Sequence, residues 1–195
     1  MIILFIDLIK KNRSYRRFHE EFSVPSETLE ELVDYARLSP SGANQQPFKF
    51  IISNTPECNE QIFPTTTWAG YLKDWKGPEK GERPSAYIII VGDTEIKKSF
   101  GCDHGIAAQS IMLGAVEKGL GGCIIGAFHK EKLREALRIP EHYEPLLILA
   151  LGKPSETVVL EEIPPNGDIQ YWRDEQNIHR VPKRKLKDII ISLKK

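Results

Sequence analysis

Cysteine is scarce in this 195-residue chain: Cys58, Cys102 and Cys123 are odd in number, widely spaced and form no C-x-x-C pair. That pattern argues against a disulfide framework or a zinc knuckle and predicts a protein of a reducing compartment. A charge surplus is lacking as well, since 27 basic and 27 acidic side chains leave a formal net charge of zero. Proteins that bind nucleic acid or a membrane surface usually carry a basic excess, so neither partner is expected. No apolar run approaches the roughly 20 residues that span a bilayer. The opening MIILFIDLIKK has no basic segment ahead of its apolar stretch, and Asp7 interrupts it, so it does not read as a secretory signal. The expectation is a cytoplasmic protein.

Several catalytic motifs are missing too. There is no G-x-x-x-x-G-K-[ST] to cradle a nucleotide phosphate. Gly119, Gly121 and Gly122 precede an apolar run instead of following one, and Ile124 stands where a dinucleotide fingerprint needs its last small residue. His19, His104, His129, His142 and His179 show no metal-ligand spacing, and the Ser-centred elbow of hydrolases is absent.

What is present reads as one globular domain. The length suits a single domain, and 41% hydrophobic with 28% charged residues is ordinary for a packed soluble chain. Leu29, Leu32, Val33 and Ala36 recur at helical spacing behind Ser26, a candidate N-cap, and Pro40 stops that helix near Leu38. Four continuous apolar runs, 50–52, 87–91, 123–125 and 146–151, predict strands covered on both faces. A nearly apolar helix is predicted over 105–120 and an amphipathic one over 130–138. Helices between apolar strands give an α/β or α+β sandwich around one sheet. Residues 55–85 and 163–183 lack regular patterning but carry Trp68, Tyr71, Trp75, Tyr171 and Trp172. Those aromatics pack on the chain's own core, on a partner subunit or on a flat ligand.

Two polar segments stand out. RSYRRF places Arg13, Ser14, Tyr15, Arg16 and Arg17 together. Arg13, Ser14 and Arg16 could converge on a phosphate through guanidinium forks and a hydroxyl, or the cluster is a solvated basic face. SPSGANQQP, residues 39–47, holds Ser41, Asn44 and Gln46 on a turn-rich loop relaxed by Gly42. Its amides suit a heterocycle that alternates carbonyl and N–H groups; the plainer reading is an Asx-type turn.

R-S-x-R-x-F followed by P-S-x-x-N-x-Q-P-F resembles the FMN-dependent nitroreductase-like family. DHGIAAQS (residues 103–110) and GLGGCIIGAF (residues 119–128) look like that family's core helix and following strand, so the ordered match covers most of residues 8–151. The resemblance implies an α+β three-layer sandwich with a central, mostly antiparallel sheet flanked by helices. It also implies a homodimer with two FMN sites at the interface. It gives one FMN-binding domain over 1–195, with 56–84 as a lid that chooses the substrate and 163–195 as a tail on the partner subunit.

By resemblance, Arg13, Ser14, Tyr15 and Arg16 surround the FMN phosphate and ribityl chain, Arg16 also reaching toward the pyrimidine side. Pro40, Ser41, Gly42, Asn44 and Gln46 meet the isoalloxazine, and Gly126 and Ala127 bring backbone N–H groups toward N5 and O4. Arg184, or else Lys183, supplies a further cation to the phosphate, and Trp68, Tyr71 and Trp75 sandwich planar substrates. The implied activity is ping-pong hydride transfer from NAD(P)H through flavin N5 to a nitroaromatic, quinone or related acceptor, with the cofactor doing the chemistry. The same motifs would also serve a non-enzymatic flavin-binding module for storage or sensing. The lid region lacks the Glu–Tyr–Lys set by which dehalogenating relatives hold a zwitterionic amino acid.

Overall fold

All four apolar runs become strands of one sheet. The computed structural model describes residues 4–163 and 167–192. Residues 1–3 of the opening segment, and 164–166 and 193–195 of the expected tail, lie outside the described residues. Two compact units emerge where one domain was expected: Met1–Trp68 with Gly77–Ser155, and Ala69–Lys76 with Glu156–Lys195. The expected lid, 56–84, is therefore divided between them.

In the first unit the order is α1 (Phe5–Lys11), α2 (Ser26–Arg37), β1 (Phe48–Ser53), α3 (Pro56–Ile62), β2 (Ala86–Asp93), α4 (Asp103–Glu117), β3 (Gly121–Ile125), α5 (Lys130–Leu137) and β4 (Tyr143–Gly152). The sheet order is β1-β2-β4-β3, antiparallel throughout. Between β2 and β4 the register slips after Ile90↔Leu147 to Val91↔Pro145, a bulge at a proline that has no N–H to give the ladder.

Strand alternation sends Ala86, Ile88 and Ile90 to one face and Tyr87, Ile89 and Val91 to the other, and all six are buried. On the first face, Leu29 and Leu32 of α2 and Ala107, Ala108, Ile111, Met112 and Ala115 of α4 join Ile88, Ile90, Leu149 and Leu151 in one core cluster. Gly114 lets α2 approach α4, because a Cβ there would run into the Tyr35 ring. Across the sheet, Ile62 of α3 and Leu133 of α5 are fully buried. At roughly 1.5–3 kcal/mol per buried large aliphatic side chain, these two layers supply most of the drive to fold. The expected α+β sandwich, an antiparallel sheet flanked by helices, is what the chain forms.

Details differ from the sequence reading. Pro25, not Ser26, caps α2; the Ser26 hydroxyl instead accepts from Asn54 Nδ2 at 3.0 Å. The core helix begins at Asp103 and ends at Glu117. Helices α1 and α3 were not anticipated. Among the described residues no helix is long and apolar enough to cross a membrane.

The second unit contains β5 (Val158–Glu162), β6 (Trp172–Arg173), β7 (His179–Lys183) and α6 (Leu186–Ile189). β7 lies centrally, parallel to β5 and antiparallel to β6. Arg180 on β7 ties the unit together, reaching Glu161 at 2.6 Å and Asp174 at 2.8 Å.

Candidate functional site

Residues 12–18 leave α1 and run along the outer edge of β3. Ser14 forms a parallel bridge with Gly122, Tyr15 N donates to Gly122 O at 2.9 Å, and Phe18 bridges Pro154. Gly122 is required by this crowding, because a Cβ there would strike the Ala150 carbonyl of β4. The edge arrangement sets Arg13 and Ser14 around a pocket of about 190 Å³, completed by Asn12, Gly122, Ile124 and the α4 residues Gln109 and Met112.

Arg13 is half-buried. Its Nη2 donates to Ile9 O at 2.9 Å, while its Nε is buried with no hydrogen-bond partner. Burial pulls the guanidinium pKa below the usual arginine value, with Tyr15 opposing the shift. It stays charged at neutral pH all the same, a partly desolvated cation with no carboxylate in ion-pair range among the described residues. Such a group favours an incoming anion. Arg16 is 9% exposed and donates to Ser14 O at 3.2 Å, bracing the segment from inside.

The loop after α2 is held just as closely. Gly42 N donates to Asp103 Oδ2 at 2.8 Å, at the start of α4, and Ser39 Oγ meets Ser110 Oγ at 2.6 Å. Within the loop, Ser41 Oγ accepts from Gln46 N at 3.0 Å and Gln46 Nε2 donates to Asn44 O at 3.2 Å. Ala43, Asn44 and Gln46 all have left-handed φ, 51°, 54° and 49°. A non-glycine residue held there costs of order 1–3 kcal/mol, strain that clusters at binding sites. Pro40, Ser41 and Gln46 line a second pocket with Asp103 and Ala107 of α4, and it shares no residue with the Arg13 pocket. The two pockets are separate within the chain.

The remaining expected residues are scattered. Gly126 and Ala127 follow β3 directly and are exposed, with Ala127 O accepting from Thr67 N at 2.9 Å. Trp68 is only 8% exposed: its ring tilts against Phe63 and covers Gly77, leaving no open face for a flat substrate. In the second unit, Tyr71 is 46% exposed beside the Tyr171 ring, and Trp75 carries the Arg173 guanidinium 4.3 Å over its face. Lys183 ends β7 and is exposed, as is Arg184.

Gln109, Met112 and Asp103 line these two pockets without having been among the expected site residues. Asp103 did leave a signal, an acidic side chain opening a nearly apolar helix. Gln109 and Met112 gave none, since their helix face is fixed only once α4 meets residues 12–14. Among the described residues no group of His, Cys, Asp and Glu could hold a metal ion.

Known proteins resemble this chain in sequence and fold. The sequence pattern of the nitroreductase family matches residues 9–153. A putative NADH dehydrogenase/NAD(P)H nitroreductase of Methanothermobacter thermautotrophicus is 32% identical over 158 residues, which is 77% of this chain and 78% of that protein. An FMN reductase (NADPH) of Bacillus subtilis is 28% identical over 170 residues, 77% of this chain and 66% of its own length. In fold, the crystal structure of a putative nitroreductase in complex with FMN from Exiguobacterium sibiricum superposes with a TM-score of 0.68 at 21% identity, covering 89% of this chain and 99% of that one. The matched region holds the arginine segment, the strained loop, α4 and β3 in that order, and this chain belongs to the nitroreductase family of oxidoreductases.

Proposed function

We propose that the protein is an FMN-dependent NAD(P)H oxidoreductase that reduces planar acceptors such as nitroaromatics and quinones, working as a homodimer. The observation that carries this reading is Arg13: a half-buried cation with an unpartnered Nε, next to the exposed Ser14 hydroxyl. A guanidinium fork beside a hydroxyl suits a phosphate better than a carboxylate, since a phosphate has more oxygens to share between them. The residues present therefore fit FMN. When bound, FMN supplies the capacity to take a hydride from NAD(P)H and pass reducing equivalents to the acceptor.

The chain's own part is binding and orientation. Arg13 and Ser14 hold the phosphate end, and Arg16 fixes their backbone. Pro40, Ser41, Gly42, Asn44 and Gln46 present a prestrained polar edge to the ring, held by Asp103 so that little order is lost on binding. Gly126 and Ala127 offer exposed backbone at the end of β3. Dimerisation is supported by the two pockets, which share no residue within one chain and would have to meet between two. The roles of Tyr71 and Trp75 toward substrate, and of Arg184 or Lys183 toward phosphate, rest on the family resemblance. Relatives named for NAD(P)H and FMN support the choice of donor and cofactor.

An anaerobic absorbance spectrum tests the reading. The purified protein should show a flavin band that bleaches on adding NADH or NADPH and returns with a quinone. A colourless protein that FMN does not reconstitute would reject the cofactor, and an unbleached flavin would reject the donor. Arg13→Ala should weaken FMN binding by about 1.5–3 kcal/mol, the range for hydrogen bonds to a charged group. Unchanged affinity in a fluorescence titration would sink the phosphate assignment.

A further inference from the structure

Tyr71 and Trp75 stand on a short segment of the second unit that has little order of its own. Residues 69–76 make two successive turns, Leu72 N donating to Ala69 O at 2.8 Å and Trp75 N to Leu72 O at 3.0 Å. Turns of this kind close the backbone locally and leave the side chains to be placed by what they touch. Within the unit, what they touch is β6 and its surroundings.

Tyr171 and Arg173 lie two residues apart where the chain enters β6, so the pleat sends both to one face. Tyr171 meets Tyr71 edge to face, with ring centroids 5.0 Å apart and planes at 62°, and its hydroxyl lies 3.5 Å from Tyr71 N. The same Tyr171 ring leans on His179 of β7, centroids 5.1 Å apart, and His179 is only 1% exposed. Arg173 sets its guanidinium carbon 4.3 Å over the Trp75 ring and its Nη2 3.0 Å from Glu156 Oε2. The two side chains of that ion pair are 11% and 2% exposed. A pair this far out of water is costly to break, so it holds the guanidinium in one place. A cation over an aromatic face also counts for most where water is excluded. Each aromatic of the segment is thus tied to a strand residue that is itself tied to a buried group. Tyr71 reaches His179 through Tyr171, and Trp75 reaches Glu156 through Arg173. Neither ring is covered by these contacts, since Tyr71 stays 46% exposed and Trp75 is partly exposed.

We propose that Tyr171 and Arg173 are positioning residues for the acceptor: they set the spacing and tilt of Tyr71 and Trp75, and with them which flat ring systems the enzyme takes. The proposal rests on the reading that Tyr71 and Trp75 meet the acceptor. Specificity would then be written partly in β6, in residues that do not touch the substrate.

Two measurements on the full chain test this. In the first, Tyr171→Leu removes the stacked ring, and Arg173→Lys keeps a charge beside Glu156 but loses the flat face over Trp75. Hydrogen exchange over 70–76 should be faster in both variants than in the parent, and unchanged exchange would overturn the positional link whatever the cofactor does. The second is the ratio of kcat/KM for menadione to that for 1,4-benzoquinone, per bound flavin and with one nicotinamide donor held saturating. A general structural defect lowers both values alike, whereas a change in the spacing of the two rings moves the ratio. Each variant should shift it by about threefold or more, as Tyr71→Leu and Trp75→Leu should. A shift in those two with none in Tyr171→Leu and Arg173→Lys would overturn the proposal and leave the acceptor reading standing. No shift in Tyr71→Leu and Trp75→Leu would reject the acceptor reading itself, and the proposal with it. Should Tyr171→Leu not fold, Arg173→Lys decides alone, because it leaves the buried carboxylate a cation.

Discussion

Gly122 and Arg13 show how one residue can matter for its size and another for a single N–H left without a partner. A methyl group at Gly122 meets the end of the Leu151 side chain and the Ala150 carbonyl, and the carbonyl cannot retreat without moving β4. Gly122→Ala should destabilise the protein by about 1–3 kcal/mol, the usual cost of overpacking. It should also lower the flavin content, because the Ser14 bridge rests on that residue. A melt and an absorbance ratio read both; a normal ratio in a destabilised variant would detach Gly122 from the site. Arg13, Ser14 and Arg16 stand out as candidates in the sequence because charge, hydroxyl and spacing are properties of the string. The need for glycine at 122 was not, since it arises from a contact with residue 150.

At the scale of elements, the legible parts were those whose burial writes a pattern. The four strands and α2, α4 and α5 were all marked by apolar runs or helical spacing. Helix α3 buries only Ile62, too little to show a period, although Thr55 and Pro56 at its start are a capping signal: Thr55 Oγ1 accepts from Cys58 N at 3.3 Å. β7 was hidden by Pro182, which in a strand reads as a breaker, and by its parallel pairing with β5. The lid aromatics misled for a related reason, since composition alone does not separate the buried Trp68 from the exposed Tyr71. Asp103→Ala should free Gly42 N and loosen the strained loop, seen as faster hydrogen exchange over 41–46; unchanged exchange would mean that the loop holds itself.

The turn between β6 and β7 carries a pH dependence. Burial works against the charge on Asp174, but hydrogen bonds from Ile178, Arg180 and Gln176 outweigh it and keep its pKa below the ordinary 3.8. The folded value is lower than the unfolded one, so this stabilisation is complete above about pH 4 and fades as pH falls through the folded value. Amide NMR signals of Gln176 and Ile178 should shift only in that acid range, and Asp174→Asn should remove the transition.

For the whole molecule, the ordered motifs carried the fold class, because the α+β sandwich follows from which runs are strands and which are helices. Division into two compact units was not legible, as no composition shift marks residues 69–76 or 156. If the two half-sites meet only between protomers, cofactor retention must depend on protein concentration. Dilution through the dimer dissociation constant should release FMN, measured as recovered free-flavin fluorescence alongside light scattering. Retention by a monomer would place both half-sites' function within one chain.

The bridges from Ser14 to Gly122 and from Phe18 to Pro154 also set an order of events. The residues proposed to hold the phosphate end are made first, and the edge they must lean on is made far later. During synthesis the cradle does not exist until β3 and β4 have left the ribosome and paired. Colour in this protein should then be a late acquisition, and a nascent chain stalled before residue 122 should be unable to retain flavin however much is supplied.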